Sequence, residues 1–154
     1  MYLSDFIGQK ETPAYEPVEL HLSLSPLSGL VQLRHTVPGD VMYRKYWYKS
    51  GTNATMTNEL MGIAKKAQEM MHMGDGDVFV DIGCNDGTLF RFVDKNITRV
   101  GFDPNDYKAE SSKHADIIIN NYFNAKEYQK TKHGHKKAKV ITSIAMFYDL
   151  EDPS

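Results

Sequence analysis

The sequence predicts an α/β fold in which a partial parallel sheet follows an irregular amino-terminal arm. From about residue 75 onward, short β-branched runs alternate with segments of helical length, which is typical of parallel strands joined by crossovers. Before residue 55 the chain instead holds four of its six prolines and many turn-forming residues. Hydrophobic residues make up 41% and charged residues 25% of the chain, as in ordinary globular proteins. We therefore expect an arm over residues 1–55 and a sheet domain over residues 56–154.

The arm and the first helix come first along the chain. The apolar run at residues 30–33 is typical of a brief strand. Over residues 55–73, apolar side chains recur three and four positions apart, which predicts a helix with one buried face. Gly74 is a suitable stop signal for this helix. The buried face is expected to contain Leu60, Ala64, Ala67 and Met71.

Four strands and one intervening helix are predicted in the sheet domain. Residues 78–82 form an apolar run that ends at a glycine, which is typical of a strand buried on both faces. A helix is expected next, with Leu89 and Phe90 on its apolar face. Since strands alternate with helices, the crossovers are expected to be right-handed and the sheet parallel. The helix is predicted over residues 88–95, and the later strands over residues 98–102, 115–119 and 138–145.

Charge, cysteine content and the amino terminus exclude several classes of protein. With 18 basic and 20 acidic residues the formal charge is −2, so the basic balance that nucleic-acid binding usually needs is missing. Cys84 is the single cysteine, which excludes an intrachain disulfide and a zinc site built from several cysteines of one chain. The sequence has neither a signal-peptide pattern nor a run of about 18 apolar residues. We expect a cytoplasmic protein that does not contact a membrane.

A lysine-rich stretch covers residues 126–139 and contains His133 and His135. This composition is compatible with a phosphate-binding patch or a pair of metal ligands. A third metal ligand at regular spacing is missing, however, so the metal signal is weak. The sequence favours a solvated loop.

The segment most informative about chemistry is VFVDIGCNDGTLF, residues 78–90. It predicts a strand, then a tight loop with Gly83, Asn85 and Gly87, then the start of a helix. Glycines let the backbone approach a ligand closely, and a helix start offers unpaired N–H groups. Asp103 ends the next predicted strand, where a carboxylate can accept hydrogen bonds from both hydroxyls of a ribose. Together these features indicate a nucleotide-like ligand.

The loop distinguishes between two classes of nucleotide. A dinucleotide fold carries Gly-x-Gly-x-x-Gly and holds a pyrophosphate at the helix start. Here the spacing is Asp-x-Gly-x-x-x-Gly, and Asp86 adds negative charge where the pyrophosphate would lie. A carboxylate-rich loop suits a cosubstrate with an ammonium and a sulfonium group better than a diphosphate. The residues therefore favour S-adenosylmethionine over NAD.

DIGCNDGTLF, residues 81–90, resembles the first motif of class I S-adenosylmethionine-dependent methyltransferases, and in detail the sugar C-methyltransferase group. Three further stretches resemble the same group: GLVQL at 29–33, YWYKSGTNATM at 46–56 and IAMFYDLEDP at 144–153. The resemblance implies a Rossmann-like fold and methyl transfer to a small molecule, such as a deoxysugar nucleotide. S-adenosylhomocysteine would be the product.

The resemblance also implies roles for individual residues. Tyr46 and Tyr48 match tyrosines that the family brings to the active site, although simple packing of the arm is an equally good explanation for them. Ser50 and Gly51 match a segment that closes over the cosubstrate. The remaining cosubstrate contacts implied are Asp81, Gly83, Cys84, Asn85 and Gly87 for the amino-acid part, Asp103 and Pro104 for the ribose, Asn121 and Phe123 for the adenine, and Ser143 and Met146 beside the methyl group.

The chain also departs from the family in two ways. The family has a Cys-x-x-Cys pair of a zinc-binding module where this chain has Ser25 and Ser28. Hydroxyl groups do not replace thiolates on zinc, so we expect no metal. The family also continues beyond the position of Ser154 with further strands and a catalytic segment. The alternative is therefore an accessory subunit that binds S-adenosylmethionine without transferring its methyl group. Such a subunit would pair with a second copy or a complementary chain through the exposed edge of the fourth strand.

Overall fold

A computed structural model describes residues 18–149 of the chain, which divides into two compact units, Met1–Trp47 and Tyr48–Ser154. The first unit contains an antiparallel pair of strands, β1 (Leu22–Leu24) and β2 (Val31–Leu33), followed by a short helix, α1 (Gly39–Tyr43). A tight turn joins the strands, and in it the Ser25 amide donates to the Leu30 carbonyl at 2.9 Å. The predicted brief strand at residues 30–33 is confirmed as β2.

The second unit opens with a short 3₁₀ turn, Ser50–Thr52, and a long helix, α2 (Ala54–Met70). Asn53 caps the helix, because its Oδ1 accepts hydrogen bonds from the amides of Thr55 at 2.8 Å and Met56 at 3.3 Å. Its buried residues are Leu60 and Ala64, as the periodicity predicts, whereas Ala67 is half-buried and Met71 lies past the helix end and is 45% exposed. The helix ends before Gly74, since the chain already turns at His72, whose φ is 45°.

A four-stranded, entirely parallel sheet forms the centre of this unit. Its strands are β3 (Val78–Ile82), β4 (Thr98–Phe102), β5 (Ile117–Ile119) and β6 (Val140–Ser143), and they lie side by side in the order β5-β4-β3-β6. In the register, Val80 stands opposite Val100 on one side and Ile141 on the other. This is the parallel α/β fold that the sequence predicts. Its elements in chain order are β3 (Val78–Ile82), a 3₁₀ helix (Thr88–Phe92), β4 (Thr98–Phe102), α3 (Lys108–Ser111), β5 (Ile117–Ile119), α4 (Ala125–Gln129), β6 (Val140–Ser143) and a final 3₁₀ turn (Phe147–Asp149).

The core lies on both faces of β3, which confirms that this strand is buried on both sides. On one face Phe79 packs against Phe90 in a T-shaped arrangement, with ring centroids 6.5 Å apart. Side chains of α2 complete this cluster. On the other face Val80 packs with Phe102 in a second cluster, which Tyr128 of α4 partly covers. Burial of these apolar surfaces fixes the sheet and therefore the positions of the loops at its ends.

Three predicted elements differ from the structure. The helix predicted over residues 88–95 is a 3₁₀ helix that covers only Thr88–Phe92, because Leu89 and Phe90 are both buried and Val93 is already extended. The strand predicted over residues 115–119 is β5, and it begins two residues later, at Ile117, because the Ala115 amide still donates to the Ser111 carbonyl at the end of α3. The strand predicted over residues 138–145 is β6, and it is two residues shorter at each end, since it covers Val140–Ser143. Within residues 18–149 no helix combines the length and hydropathy needed to cross a bilayer.

Candidate functional site

The predicted cosubstrate residues meet at the carboxyl ends of the parallel strands. All four strands are parallel, so their carboxyl ends lie side by side, where loops of α/β folds commonly bind ligands. These residues stand at the ends of the strands or in the loops directly after them. They are Asp81, Gly83, Cys84, Asn85 and Gly87 at β3, Asp103 and Pro104 at β4, Asn121 and Phe123 at β5, and Ser143 and Met146 at β6.

The loop after β3 turns sharply because three of its residues adopt left-handed backbone conformations. Their φ angles are 77° at Gly83, 50° at Asn85 and 78° at Gly87. The amides of Gly83 and Cys84 both donate to the carbonyl of Phe102, at 2.8 and 3.0 Å, which ties the loop to the end of β4. A side chain at position 87 would also bring its Cβ within 2.8 Å of the backbone of α3. The tight loop predicted from the glycine spacing is therefore present.

Asp103 joins the loop to the end of β4. Its Oδ2 accepts a hydrogen bond from the Asn85 amide at 2.7 Å, and its Oδ1 accepts one from the Asn105 amide at 3.0 Å. Burial raises the pKa of Asp103 above its ordinary value, although these two amide hydrogen bonds oppose the shift. Each carboxylate oxygen has two lone pairs, so one acceptor position on each oxygen remains for a ligand hydroxyl.

Asp81 is a buried carboxyl at the end of β3, only 4% exposed. The Thr142 hydroxyl of β6 donates to its Oδ1 at 2.7 Å. Burial raises the pKa of Asp81 to about 7, the Thr142 hydrogen bond lowers it, and the nearby Asp103 raises it. The site therefore contains a carboxyl group that changes its charge near neutral pH.

The thiol of Cys84 belongs to the core cluster beneath the loop. A Cβ atom on Gly101 of β4 would lie 2.6 Å from its sulfur, so the thiol fills the space that this glycine leaves. Burial raises the pKa of Cys84 well above its ordinary value, and the charges of Asp81 and Asp103 add to the effect. The side chain is a neutral packing group, and the backbone of Cys84 is bonded within the loop, since its amide donates to Phe102 and its carbonyl accepts from the Gly87 amide at 2.9 Å.

Residues 48–52, which we call the clasp segment, lie on the loop after β3. The side chain of Asn85 holds it twice: its Nδ2 donates to the Tyr48 carbonyl at 2.9 Å, and its Oδ1 accepts from the Ser50 amide at 3.0 Å. The Gly51 amide donates to Asp86 Oδ2 at 3.0 Å. The sequence pointed to the segment through resemblance alone, and the structure supplies the contacts that position it.

Three residues that hold the clasp segment were missed by sequence reasoning. Lys49 Nζ lies 2.8 Å from Glu110 Oε1 and 4.5 Å from the centroid of the Tyr107 ring. The hydrogen bond with Glu110 raises the pKa of Lys49 and lowers that of Glu110. No local pattern links positions 49, 107 and 110, because their proximity depends on the packing of α3 beside the loop.

The chain after β6 covers part of the loop. A Cβ atom on Gly83 would lie 2.8 Å from Met146 Cγ, so the methionine side chain rests directly on this glycine. The Ser143 hydroxyl lies 2.8 Å from the Met146 sulfur. Ala145 between them has a φ of 53°, which turns the chain back toward the loop. Ser143 and Met146 are thus brought to the site.

In the loop after β5, the ring of Phe123 packs against that of Phe102 in a T-shaped arrangement with centroids 5.1 Å apart. Phe123 remains 42% exposed. Asn121 is exposed nearby, and Pro104 is half-buried after Asp103. Tyr48, Ser50 and Gly51 belong to the same unit as the sheet. Tyr46 belongs to the unit Met1–Trp47, where its ring lies 6.1 Å from that of Tyr43.

The site combines carboxyl groups, a left-handed loop and an exposed aromatic ring. Asp81, Asp86 and Asp103 flank the loop, which makes this edge suitable for a ligand with hydroxyl groups and positive charge. No protein-family profile matches the chain, and no curated protein is significantly similar to it. The residues of the site are therefore the basis for a functional assignment.

Proposed function

We propose that the chain binds S-adenosylmethionine at the carboxyl edge of its sheet, as a methyltransferase or as the cosubstrate-binding half of one. The observation that carries the proposal is the contact between the Asp103 carboxylate and the Asn85 amide at 2.7 Å. It joins an acidic residue at the end of β4 to the left-handed loop after β3. In α/β folds such a pair recognises a ribose and the group attached to it.

The charges of the site favour this cosubstrate over a dinucleotide. Asp86 accepts from the amide and hydroxyl of Thr88, at 3.1 and 2.7 Å, so a carboxylate lies at the start of the 3₁₀ helix. A pyrophosphate at this position would meet a negative charge. The ammonium and sulfonium groups of S-adenosylmethionine are instead attracted by Asp86 and by the other two carboxyls.

Each part of the cosubstrate has suitable residues. Asp103 would accept the ribose hydroxyls, and the exposed face of Phe123 would contact the adenine. The backbone of the loop after β3 would receive the amino-acid part, closed by Ser50 and Gly51 of the clasp segment. Ser143 and Met146 would lie beside the methyl group. The resemblance to sugar C-methyltransferases implies the same assignments.

The sulfonium supplies an activated methyl group for transfer to a nucleophile, and the chain would contribute mainly positioning. A small molecule such as a deoxysugar nucleotide is the acceptor that the resemblance implies. The resemblance assigns Tyr46 and Tyr48 to that acceptor, and of the two only Tyr48 lies in the unit that contains the sheet. The transfer leaves S-adenosylhomocysteine bound at the same residues.

Calorimetric titration of the full chain with S-adenosylmethionine and S-adenosylhomocysteine tests the proposal. We expect both to bind, and Asp103→Asn to weaken binding by about tenfold or more, because a hydrogen bond to a charged group contributes about 1.5–3 kcal/mol. Asp106→Asn, an exposed carboxyl in the following turn, is the matched control and should bind like the wild type. Absence of binding by the wild-type chain, or equal binding by both variants, would refute the proposal.

The second candidate function is that of a non-catalytic accessory subunit that binds the same cosubstrate. It is favoured by the edge of the sheet, since within residues 18–149 β6 pairs with β3 alone. Ile141 in this strand is 58% exposed. An open edge with an exposed apolar side chain is a surface on which another strand can pair.

A further inference from the structure

A cleft lies at the opposite end of the sheet from the proposed cosubstrate site, where β4 and β5 begin. Its volume is about 200 Å³, the space of roughly six water molecules. The proposed cosubstrate site uses none of the residues that line it. They are Lys95, Asn96, Ile97 and Thr98 around the start of β4, Asp116 before β5, and Lys132 and His133 after α4.

The lining carries an excess of positive charge. Neither Lys95 nor Lys132 forms an ion pair with another residue in the range 18–149. Asp116 is the one acidic residue that lines the cleft, and Arg99 already binds it with two hydrogen bonds, at 3.0 and 3.1 Å. Burial raises the pKa of Asp116, but the hydrogen bonds from Arg99 outweigh this effect and lower it below its ordinary value. Lys132 also lowers the pKa of Asp116 through its charge, so a lining with two lysines and one carboxylate keeps one net positive charge for an anion.

The loop that carries Lys132 and His133 is held in place. The Tyr128 hydroxyl donates to the Lys136 carbonyl at 2.8 Å, and the Gly134 amide donates to Thr131 at 3.0 Å. Lys136 Nζ donates to the Gly76 carbonyl at 2.9 Å, which ties the loop to the chain before β3. The lysine-rich stretch is thus partly α4 and partly a fixed turn, although many of its side chains are exposed as predicted for a solvated loop.

We propose that this cleft binds a phosphate group, either as inorganic phosphate or as a phosphate monoester. A dianion placed between Lys95 and Lys132 gains attraction from both ammonium groups, and the imidazole of His133, whose pKa is lowered, can donate a hydrogen bond to it as the neutral form. The volume accommodates a phosphoryl group with a small substituent. A metal ion is a poor fit, because no three His, Cys, Asp or Glu side chains in the described part of the chain are placed to share one.

The test uses NMR titration of the full chain with inorganic phosphate, at constant ionic strength. Burial lowers the pKa of His133, neighbouring Lys132, Lys136 and His135 lower it further, and Asp116 opposes them. A bound dianion should therefore raise the pKa of His133, while sodium chloride at the same ionic strength should not. Tighter binding of glycerol phosphate than of inorganic phosphate would identify a phosphate monoester, and equal or weaker binding would identify free phosphate.

Substitution of either lysine tests whether phosphate binds in this cleft. We expect Lys132→Gln to weaken phosphate binding by about two- to fivefold, which is the contribution of one exposed charge pair. Lys95→Gln should act similarly from the other side of the cleft. Lys137→Gln removes the same charge from the same loop without lining the cleft and should leave the affinity unchanged. Equal affinities for the Lys132 and Lys137 variants, or a His133 response that chloride reproduces, would overturn the proposal.

Discussion

Asp81 gives the site a titrating group near neutral pH. Its carboxyl is buried between β3 and β6 and bonded to Thr142, and burial raises its pKa to about 7. A positively charged ligand nearby would favour the ionised form and so lower this pKa. Ligand binding and proton release at Asp81 are therefore expected to be coupled.

The same residue predicts a dependence of stability on pH. Between the unfolded pKa of 3.8 and the folded value of about 7, the folded chain holds a proton that the unfolded chain has lost. Asp81 therefore contributes stability that is fully present below pH 3.8 and decreases as pH rises through 7. The total change is of the order of a few kcal/mol. Asp81→Asn should remove it, because the amide cannot ionise.

Urea unfolding at several values between pH 5 and pH 8 measures this effect. We expect Asp81→Asn to become more stable than the wild type as pH increases, with the difference greatest at pH 8. Asp106→Asn changes an exposed carboxyl and should follow the wild-type profile. Parallel pH profiles for Asp81→Asn and the wild type would show that Asp81 does not control the dependence.

At the scale of elements, the Asn85 side chain makes two of the hydrogen bonds that hold the clasp segment. Asn85→Gly preserves the left-handed backbone, which glycine adopts readily, and removes both side-chain hydrogen bonds to Tyr48 and Ser50. We expect the Ser50 amide to exchange its hydrogen about fivefold faster or more, since each hydrogen bond contributes about 1 kcal/mol. Hydrogen exchange measured by NMR reports this, with the Val80 amide in β3 as the internal control. Unchanged exchange at Ser50 would mean that other contacts hold the segment.

The two central strands were predictable from their sequences. Residues 78–82 are an apolar run interrupted only by Asp81, and residues 98–102 contain Val100 and Phe102 at alternate positions; both segments form strands with the predicted bounds. Residues 88–95 were less predictable, because Leu89 and Phe90 are both buried by tertiary packing that overrides the helical period. Local patterns therefore identify an element more reliably than its helix type or its ends.

The same distinction applies to the candidate site. The positions of Asp81, the glycine loop and Asp103 followed from strand order, since parallel strands place their ends together. The contact between Asn85 and the clasp segment was not predictable, because it requires a left-handed asparagine and a chain segment distant in sequence. The contact of the Met146 side chain with Gly83 was likewise not predictable, because it depends on the turn at Ala145.

At the scale of the whole molecule, the open edge at β6 predicts self-association. If the accessory-subunit candidate holds, light scattering after size-exclusion chromatography should give a mass above that of one chain. Ile141→Lys should return the chain to a monomer, because a charged side chain on an edge strand opposes strand pairing. Leu27→Lys changes a fully exposed leucine outside the sheet and should leave the mass unchanged. A wild-type monomer that transfers methyl groups would exclude this candidate.

The residues proposed to bind ligands at the two ends of the sheet differ in charge. Carboxyl groups surround the loops at the carboxyl ends of the strands, whereas Lys95 and Lys132 line the cleft at the amino ends. We therefore expect a positively charged ligand at the carboxyl ends of the strands and a negatively charged ligand at their amino ends. Because a double substitution at distant sites is usually additive, the Asp103 and Lys132 variants should weaken their respective ligands independently.

Cys84 is the single cysteine of the chain, and its thiol is buried beneath the loop. A thiol reagent can modify this residue only after the surrounding structure opens, and only through the thiolate form. Each modified molecule therefore records one opening event at the site, without any label having been introduced. Any ligand that fastens the loop will slow this reaction, so the native sequence contains its own kinetic probe of occupancy.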